Sequence, residues 1–586
     1  MGEQGACLLL RLSTELLYQI IDYSHPSTTL AFALTCSTLH RQCQPLLEQH
    51  RDAYNKYRIT SDLSPETVID LLKDTTTAKI ERWHVRELEI WGSRENWQDW
   101  RSWAPELPGE YGLAVEDPSR VLLVTREVQR YIRSGIDWWD YFRHKIEEVQ
   151  QDLQSGCDAY LKLLLIVSCP RLHSIRFVKR KHDTWKSLKC MTEAIRWSRQ
   201  ELNGQWPPGF ESLRSVAVGI STDSPCHRGE GGDDDDEEEE ESGMQNVSNF
   251  VELLYLPHIK DIYFSDLYQD KEEEQDADFH FEEAYFFPTG TSSVESIFLD
   301  RASNLSTNVY FGIAGASKHL ETIIIRAPDM EGESLDNVDT LMHDLTKEAP
   351  QLQRLIIYNS KGMRAYRCAL YYPEVIRNAW VMKQITVASS DIELECSWVT
   401  EGKIDSEELD LWIEEAFSPS IEAMYVCGMS AGYMDDSEEE IPTKSLDLLL
   451  AKLIESGAYE NLQVIYVESV ERGHGQLEWE IMSGKPIDAG LKELAFQETV
   501  AAGQKAGVHV CTLMNRDDGG YWKNFPARPD RFDLKTGPWA GKRPADWKLN
   551  LDSGEWGPDC RGCGECKECL VVYPSELWKN NKIATA

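Results

Sequence analysis

The sequence is short of positive charge. Across 586 residues, 60 lysines and arginines stand against 99 aspartates and glutamates, a net charge of −39. A surface of that sign repels a phosphate backbone, so nucleic acid is not an expected partner. The one compact basic stretch, RFVKRKH from Arg176 to His182, is too short to reverse the balance. It reads as the end of a strand and a solvated loop. There is no long hydrophobic run either. The longest, LKLLLIVSCP from Leu161 to Pro170, contains Lys162 and is far too short to span a bilayer. The N-terminal MGEQGACLLLRLSTELL has an apolar patch with no basic flank ahead of it and Glu15 soon after, so no signal peptide is read. These absences give the expectation of a cytoplasmic and/or nuclear protein with no membrane partner. There its 15 cysteines stay mostly reduced, so the matches to the glycosylation pattern at Asn246 and Asn304 carry no weight.

Catalytic signatures are missing as well. The sequence holds no phosphate-cradling glycine loop, no GxSxG elbow and no HExxH pair. Its 14 histidines are scattered, and His84, His173, His258 and His319 each fall at or just before an apolar strand pattern, where a structural histidine belongs. Carboxylates are so abundant that pairs of them carry no information. The expectation is a non-catalytic protein.

What the chain does have is rhythm. A six-residue phrase of apolar, two polar, apolar, polar, apolar recurs along it. It reads Val85-x-x-Leu88-x-Ile90, Leu172-x-x-Ile175-x-Phe177, Leu213-x-x-Val216-x-Val218 and Ile259-x-x-Ile262-x-Phe264. It continues through phrases opening at Val294, Leu320, Leu352, Met382, Ile421, Leu462 and Leu491. The last four residues of each phrase read as a short strand with one buried face. Between phrases lie helical patterns such as LDNVDTLMHDLTKEAP and TKSLDLLLAKLIESG, with leucines at three- and four-residue steps. A strand and a helix that alternate in this way cannot close a core singly but can when stacked. The expected architecture is therefore α/β, an irregular leucine-rich-repeat-like solenoid. An ordinary α/β domain that reuses parallel strands also satisfies the pattern.

Ahead of the repeats, residues 8–50 read as short helices. Leu12, Leu16 and Ile20 sit four apart with Leu17 and Ile21 beside them, Ser13 can cap the start, and His25-Pro26-Ser27 breaks the helix. Leu30, Ala33, Leu34 and Leu39 make a second short helix, and Pro45 precedes a third segment. This opening resembles the F-box, in its wording most like the F-box-like proteins numerous in fungi. The residues that carry the likeness are Leu12, Glu15, Leu16, Leu17, Ile20, Ile21, Leu30, Leu34, Cys36 and Leu39. Ser13 stands where that family usually has proline. The resemblance covers under a tenth of the chain. It implies an F-box docking on a Skp-type adaptor of a cullin–RING ubiquitin ligase through Leu12, Glu15, Leu16, Ile20, Leu30 and Leu34. The repeats would then hold an unknown target protein for ubiquitin-dependent degradation.

Three other features shape the expected organisation. Acidic insertions near residues 229–243 and 270–278 read as disordered loops. Residues 51–200 form a tryptophan-rich helical junction with the first repeats, Trp97, Trp100 and Trp103 falling three apart on one helical face. The array itself is expected over 201–515. Residues 516–586 read as an irregular cap rich in Trp, Pro and Gly, closing on Cys560, Cys563, Cys566 and Cys569. Those four thiols make zinc the candidate ligand of the cap, with an iron–sulfur cluster, a redox pair or no metal as alternatives, and no cofactor is required for the main reading. Two other functions remain open: a repeat scaffold that binds protein but joins no ligase, and a metal or redox protein acting through those cysteines.

Overall fold

The computed structural model describes residues 12–100, 103, 130, 139–179, 184–201, 205–221, 245–269, 285–302, 305–326, 345, 348–358, 376–377, 379–388, 392, 406–427, 443–467, 496–511, 547–550 and 555–558. The chain divides into two compact units. One is Met1–Val216 with Leu256–His258, the other Ala217–Tyr255 with Ile259–Ala586. Both acidic insertions, most of residues 516–586 and the four C-terminal cysteines lie outside the described residues.

The first unit opens with α1 (Thr14–Tyr23), a 3-10 turn (Pro26–Thr28), α2 (Thr29–Ala33) and α3 (Ser37–Tyr57). Leu39 belongs to α3 rather than to α2. α3 also runs through Pro45 and past the expected boundary at residue 50. Next come β1 (Ile59–Ser61), α4 (Pro65–Leu72), α5 (Thr76–His84), β2 (Glu87–Ile90) and β3 (Ser174–Lys179). The three strands are parallel, with Ile59 opposite Glu87 and Glu87 opposite Ser174.

The second unit repeats the device. Its strands are β4 (Ser215–Ser221, most of which belongs here), β5 (Gln245–Asn246), β6 (Asp261–Ser265), β7 (Leu267–Tyr268) and β8 (Ser296–Asp300). They continue as β9 (Thr322–Arg326), β10 (Arg354–Tyr358), β11 (Gln384–Ala388), β12 (Ala423–Cys427), β13 (Val464–Val467) and β14 (His509–Cys511). β5 and β7 form a small parallel pair of their own; the others run β4-β6-β8-β9-β10-β11-β12-β13-β14. Strand order thus follows chain order without reversal, as a stacked series produces. A doubly wound sheet would instead show a switch point. A separate antiparallel pair joins Trp547–Asn550 to Glu555–Pro558.

The phrases set the register. Each described phrase begins two residues before its strand, and its third residue lies opposite the third residue of the next, as in Asp261 to Ser296, Ser296 to Thr322 and Thr322 to Arg354. One backbone device recurs at most junctions. The carbonyl of a phrase's second residue accepts the second and third N–H groups of the next, for example Lys260 O from Glu295 N at 2.8 Å and Ser296 N at 3.0 Å. The apolar positions of every phrase but the last are buried. That last phrase, Leu491–Phe496, lies outside the described residues except Phe496, which precedes the helix Gln497–Ala506.

Two expectations are corrected. Strands of the second unit are buried on both faces, not one: Tyr263, Phe298, Ile324, Ile356, Thr386 and Tyr425, on the face opposite the phrase's apolar residues, are all buried. Two-sided burial is the usual condition of parallel strands, whose sequences run almost continuously apolar, as TIIIR and SIFLD do here. Likewise, Trp97, Trp100 and Trp103 do not share an α-helical face. Trp97 sits in a 3-10 turn, and its ring lies 5.0 Å from that of Trp100. Their indole N–H groups donate to Gln154 O at 3.0 Å and Gly156 O at 2.5 Å, stapling this loop to the end of the helix Ile146–Ser155. Trp103 instead lies 3.8 Å from the Arg94 guanidinium.

The helix Ala159–Ser168 is buried along almost its whole length, and Gly209 of the short helix Pro208–Ser212 packs against it. A Cβ at Gly209 would collide with the Ile166 carbonyl and press to 3.0 Å from Val167 Cα. Gly209→Ala is therefore expected to cost about 1–3 kcal/mol by overpacking, read as a lower urea midpoint with an unchanged m-value. An alanine variant as stable as wild type would refute this close approach.

Candidate functional site

The strongest surface feature of the first unit is built by α1 and α2. Ser13 ends the extended entry at φ −66° and accepts the Leu16 N–H at 3.5 Å, so serine caps α1 where a proline would only have fixed φ. Glu15's own backbone N–H, and then the same hydroxyl, hold the Glu15 carboxyl below its ordinary value. At the other end Ser24 donates to Ile20 O at 2.5 Å, and Pro26 opens the turn into α2.

This amphipathic pair sorts its apolar residues sharply. Ile21, Ala33 and Cys43 form a small core across α1, α2 and α3, joined by the partly buried Phe32, Leu46 and Leu47. Leu17 and Leu39 are buried too. By contrast Leu12 is 36%, Leu16 47%, Ile20 37%, Leu30 60% and Leu34 71% exposed. Glu15 is also exposed. All six expected adaptor-facing residues are thus solvent-facing in the free chain. Tyr18, exposed as well, follows Leu16 by two residues and so looks from the other side of α1. Its two-residue offset from Leu16 is legible in the sequence.

α3 ties this face to the strands. Gln49 Nε2 donates to Thr77 Oγ1 at 2.8 Å, and His50 Nδ1 lies 2.8 Å from His84 Nε2 on α5. His25 packs edge-on to Trp83 at 5.0 Å. Trp83, at the end of α5, thus packs against the turn between α1 and α2. Burial, then the charge of His50, Arg86 and Arg171, lowers His84 to about 4. Unfolded, it would titrate near 6.5. Between these values the unfolded chain binds more protons, so stability is complete above pH 6.5 and falls as pH drops toward 4. With partial exposure discounted, the loss is expected to be about 1 kcal/mol, or about 2–4 °C in Tm for the first unit. His84→Gln should flatten that part of the profile; an unchanged slope would remove the His pair as its source.

The buried thiols offer no nucleophile. Burial pushes Cys157 up to about 11 and Cys169 up to about 12. Among the described residues there is no grouping of three or more His, Cys, Asp or Glu side chains that could hold a metal. Cys560, Cys563, Cys566 and Cys569 fall outside those residues. No described helix is long and apolar enough to cross a membrane.

The fold is mixed α/β with a parallel sheet in each unit. No family model matches the chain, and no curated protein matches it. Among solved structures, the leucine-rich repeat-containing protein LegL7 from Legionella pneumophila is similar at 11% identity and a TM-score of 0.25. The match covers 61% of this chain and 79% of that one.

Proposed function

We propose that the chain is the substrate-recognition subunit of a Skp–cullin–F-box type ubiquitin ligase, working in the cytoplasm or nucleus. The outward face of α1 and α2 takes the Skp-type adaptor, and an irregular leucine-rich-repeat-like array holds the target protein. The observation that carries this reading is the sorting in α1 and α2. Five large aliphatic side chains on or flanking α1 and α2 stay in water while Leu17, Ile21, Ala33, Leu39 and Cys43 are buried. Clustered exposed apolar residues of this kind mark protein-binding surfaces. Such a receptor makes and breaks no bonds; it raises the effective concentration of target near the conjugating enzyme. The two-sided burial in the second unit moves target contacts from the sheet faces toward loops and helices. Calorimetric titration of the purified chain with a Skp-type adaptor tests the reading. A Kd of micromolar or below is expected. A folded chain that gives no heat of binding would leave a repeat scaffold attached to no ligase.

A further inference from the structure

The second position of each phrase, polar in every case, forms a row at the N-terminal ends of the strands. In the first unit that row is Arg58, Arg86, His173 and Arg214. The backbone fixes their adjacency: Arg86 N donates to Arg58 O at 3.0 Å, His173 N to Arg86 O at 2.8 Å and Arg214 N to His173 O at 2.9 Å. Successive rungs are about 4.8 Å apart. Arg171 adds a further cation, its guanidinium 5.0 Å from the centre of the Trp83 ring. Arg58 lies over Tyr54, and among the described residues Arg86 and Arg214 donate to backbone carbonyls, those of Trp83, Val85, Glu211 and Leu213.

None of the four arginines has a carboxylate partner among the described residues. The nearby Glu87 is paired with Arg176 at 3.1 Å. Their mutual repulsion has a signature. Burial and then Arg171 bring Arg86 down to about 10, and burial followed by Arg86, Arg214 and Arg171 lowers His173. In a chain of net charge −39, which has acids to spare, a row of arginines without carboxylates is a local reversal of sign that an anionic partner can meet.

We propose that Arg58, Arg86, Arg171 and Arg214 form a docking stripe for a short acidic protein segment, clustered Asp and Glu side chains presented by a binding partner. Guanidinium groups take carboxylates bidentately, and a row of rungs matches a run of acids better than a single anion. The chain's overall negative field disfavours long polyanions, which extend beyond the stripe, and so favours a short acidic cluster over nucleic acid. This inference is independent of the adaptor reading, which rests on the apolar side chains of α1 and α2.

The test uses the full chain and a fluorescein-labelled octaglutamate peptide, followed by anisotropy at low salt. Wild type should bind it, and binding should weaken on raising salt. Arg171→Gln with Arg214→Gln should weaken it about tenfold at an unchanged Tm, and Arg171→Lys with Arg214→Lys, which keeps the charge but not the bidentate fork, should restore only part of it. Four outcomes overturn the proposal: no binding by wild type, equal binding by the glutamine variant, tighter binding of a single-stranded oligonucleotide than of the peptide, or binding that emerges only when residues 229–242 are replaced by a Gly-Ser linker. The last would assign the stripe to the chain's own acidic run.

Discussion

Leu30→Asp with Leu34→Asp is expected to bind a Skp-type adaptor at least about 100-fold more weakly than wild type, with its melting temperature essentially unchanged. The two halves of that expectation rest on different facts. Both side chains are more than half exposed in the free chain, so replacing them removes little packing, and exposed substitutions usually stay within about 0.5 kcal/mol. Buried in an interface, a central apolar anchor is worth about 2 kcal/mol or more, and two of them exceed a factor of 100. Leu17→Asp is the contrasting variant. Leu17 is buried, so a charge there should disrupt the helices themselves and lower stability. Loss of adaptor binding in the Leu30 and Leu34 variant without loss of fold would make the outward face an interface. Undiminished binding would show that the adaptor docks elsewhere.

The strands were legible because their phrase is a direct consequence of stacking. Apolar residues at positions one, four and six must all reach the same core, and the pattern survives wherever the rung is interior. It fails at the two terminal rungs. β14 aligns His509 with Val464, so its phrase would open on Gly507, whose φ of +79° ends the preceding helix in a conformation that disfavours a larger side chain. β1 aligns Ile59 with Glu87, so its phrase would read Tyr57-x-x-Thr60-x-Asp62, with polar residues at two core positions. The inside and outside of α1 were not separable in sequence. Leu16 and Leu17 are equally apolar neighbours, and which side of α1 is buried is set by residues of other helices, as Ala33 and Cys43 do for Ile21. Two-sided burial and the basic stripe were missed for a simpler reason. Both lie at phrase positions defined only as polar or variable, and they become visible once register places those positions side by side.

Asp62 shows what the terminal rung of the first unit uses instead of an apolar core residue, and it sets the largest stability effect expected in the chain. Lys162, in the middle of the buried helix Ala159–Ser168, directs its ammonium to Asp62 Oδ2 at 2.7 Å, Asp158 Oδ1 at 3.0 Å and Gly92 O at 2.5 Å. Gly92 O accepts a hydrogen bond, whereas Asp62 Oδ2, which has no hydrogen-bond partner among the described residues, and Asp158 Oδ1 meet the ammonium as ion pairs. Arg94 completes the group, its guanidinium donating to Asp158 Oδ2 at 3.0 Å, Asp62 O at 3.0 Å, Leu63 O at 3.1 Å and Asp99 O at 3.1 Å. Trp91 N donates to Asp62 Oδ1 at 2.7 Å and Arg94 N to Asp158 Oδ1 at 2.9 Å. The side chains of Asp62, Asp158, Arg94 and Lys162 are almost wholly buried, and two cations balance two anions. Such a cluster is weak evidence of net stabilisation as a whole, because removing four charges from water costs nearly as much as their pairing returns. Breaking it is another matter. Lys162→Met keeps much of the volume but leaves an uncompensated buried negative charge, which is expected to cost about 3–5 kcal/mol, measured by urea unfolding. Asp62→Asn in the same chain removes the excess charge and should recover part of the loss, a non-additivity that a double-mutant cycle measures directly. A Lys162→Met variant within about 1 kcal/mol of wild type would mean that water or a rearranged Arg94 neutralises the site. Because Asp62 follows β1 and β1 follows α3, this cluster anchors the rung from which the helices of the candidate site extend. The variant should therefore also loosen the joint that carries Leu30 and Leu34.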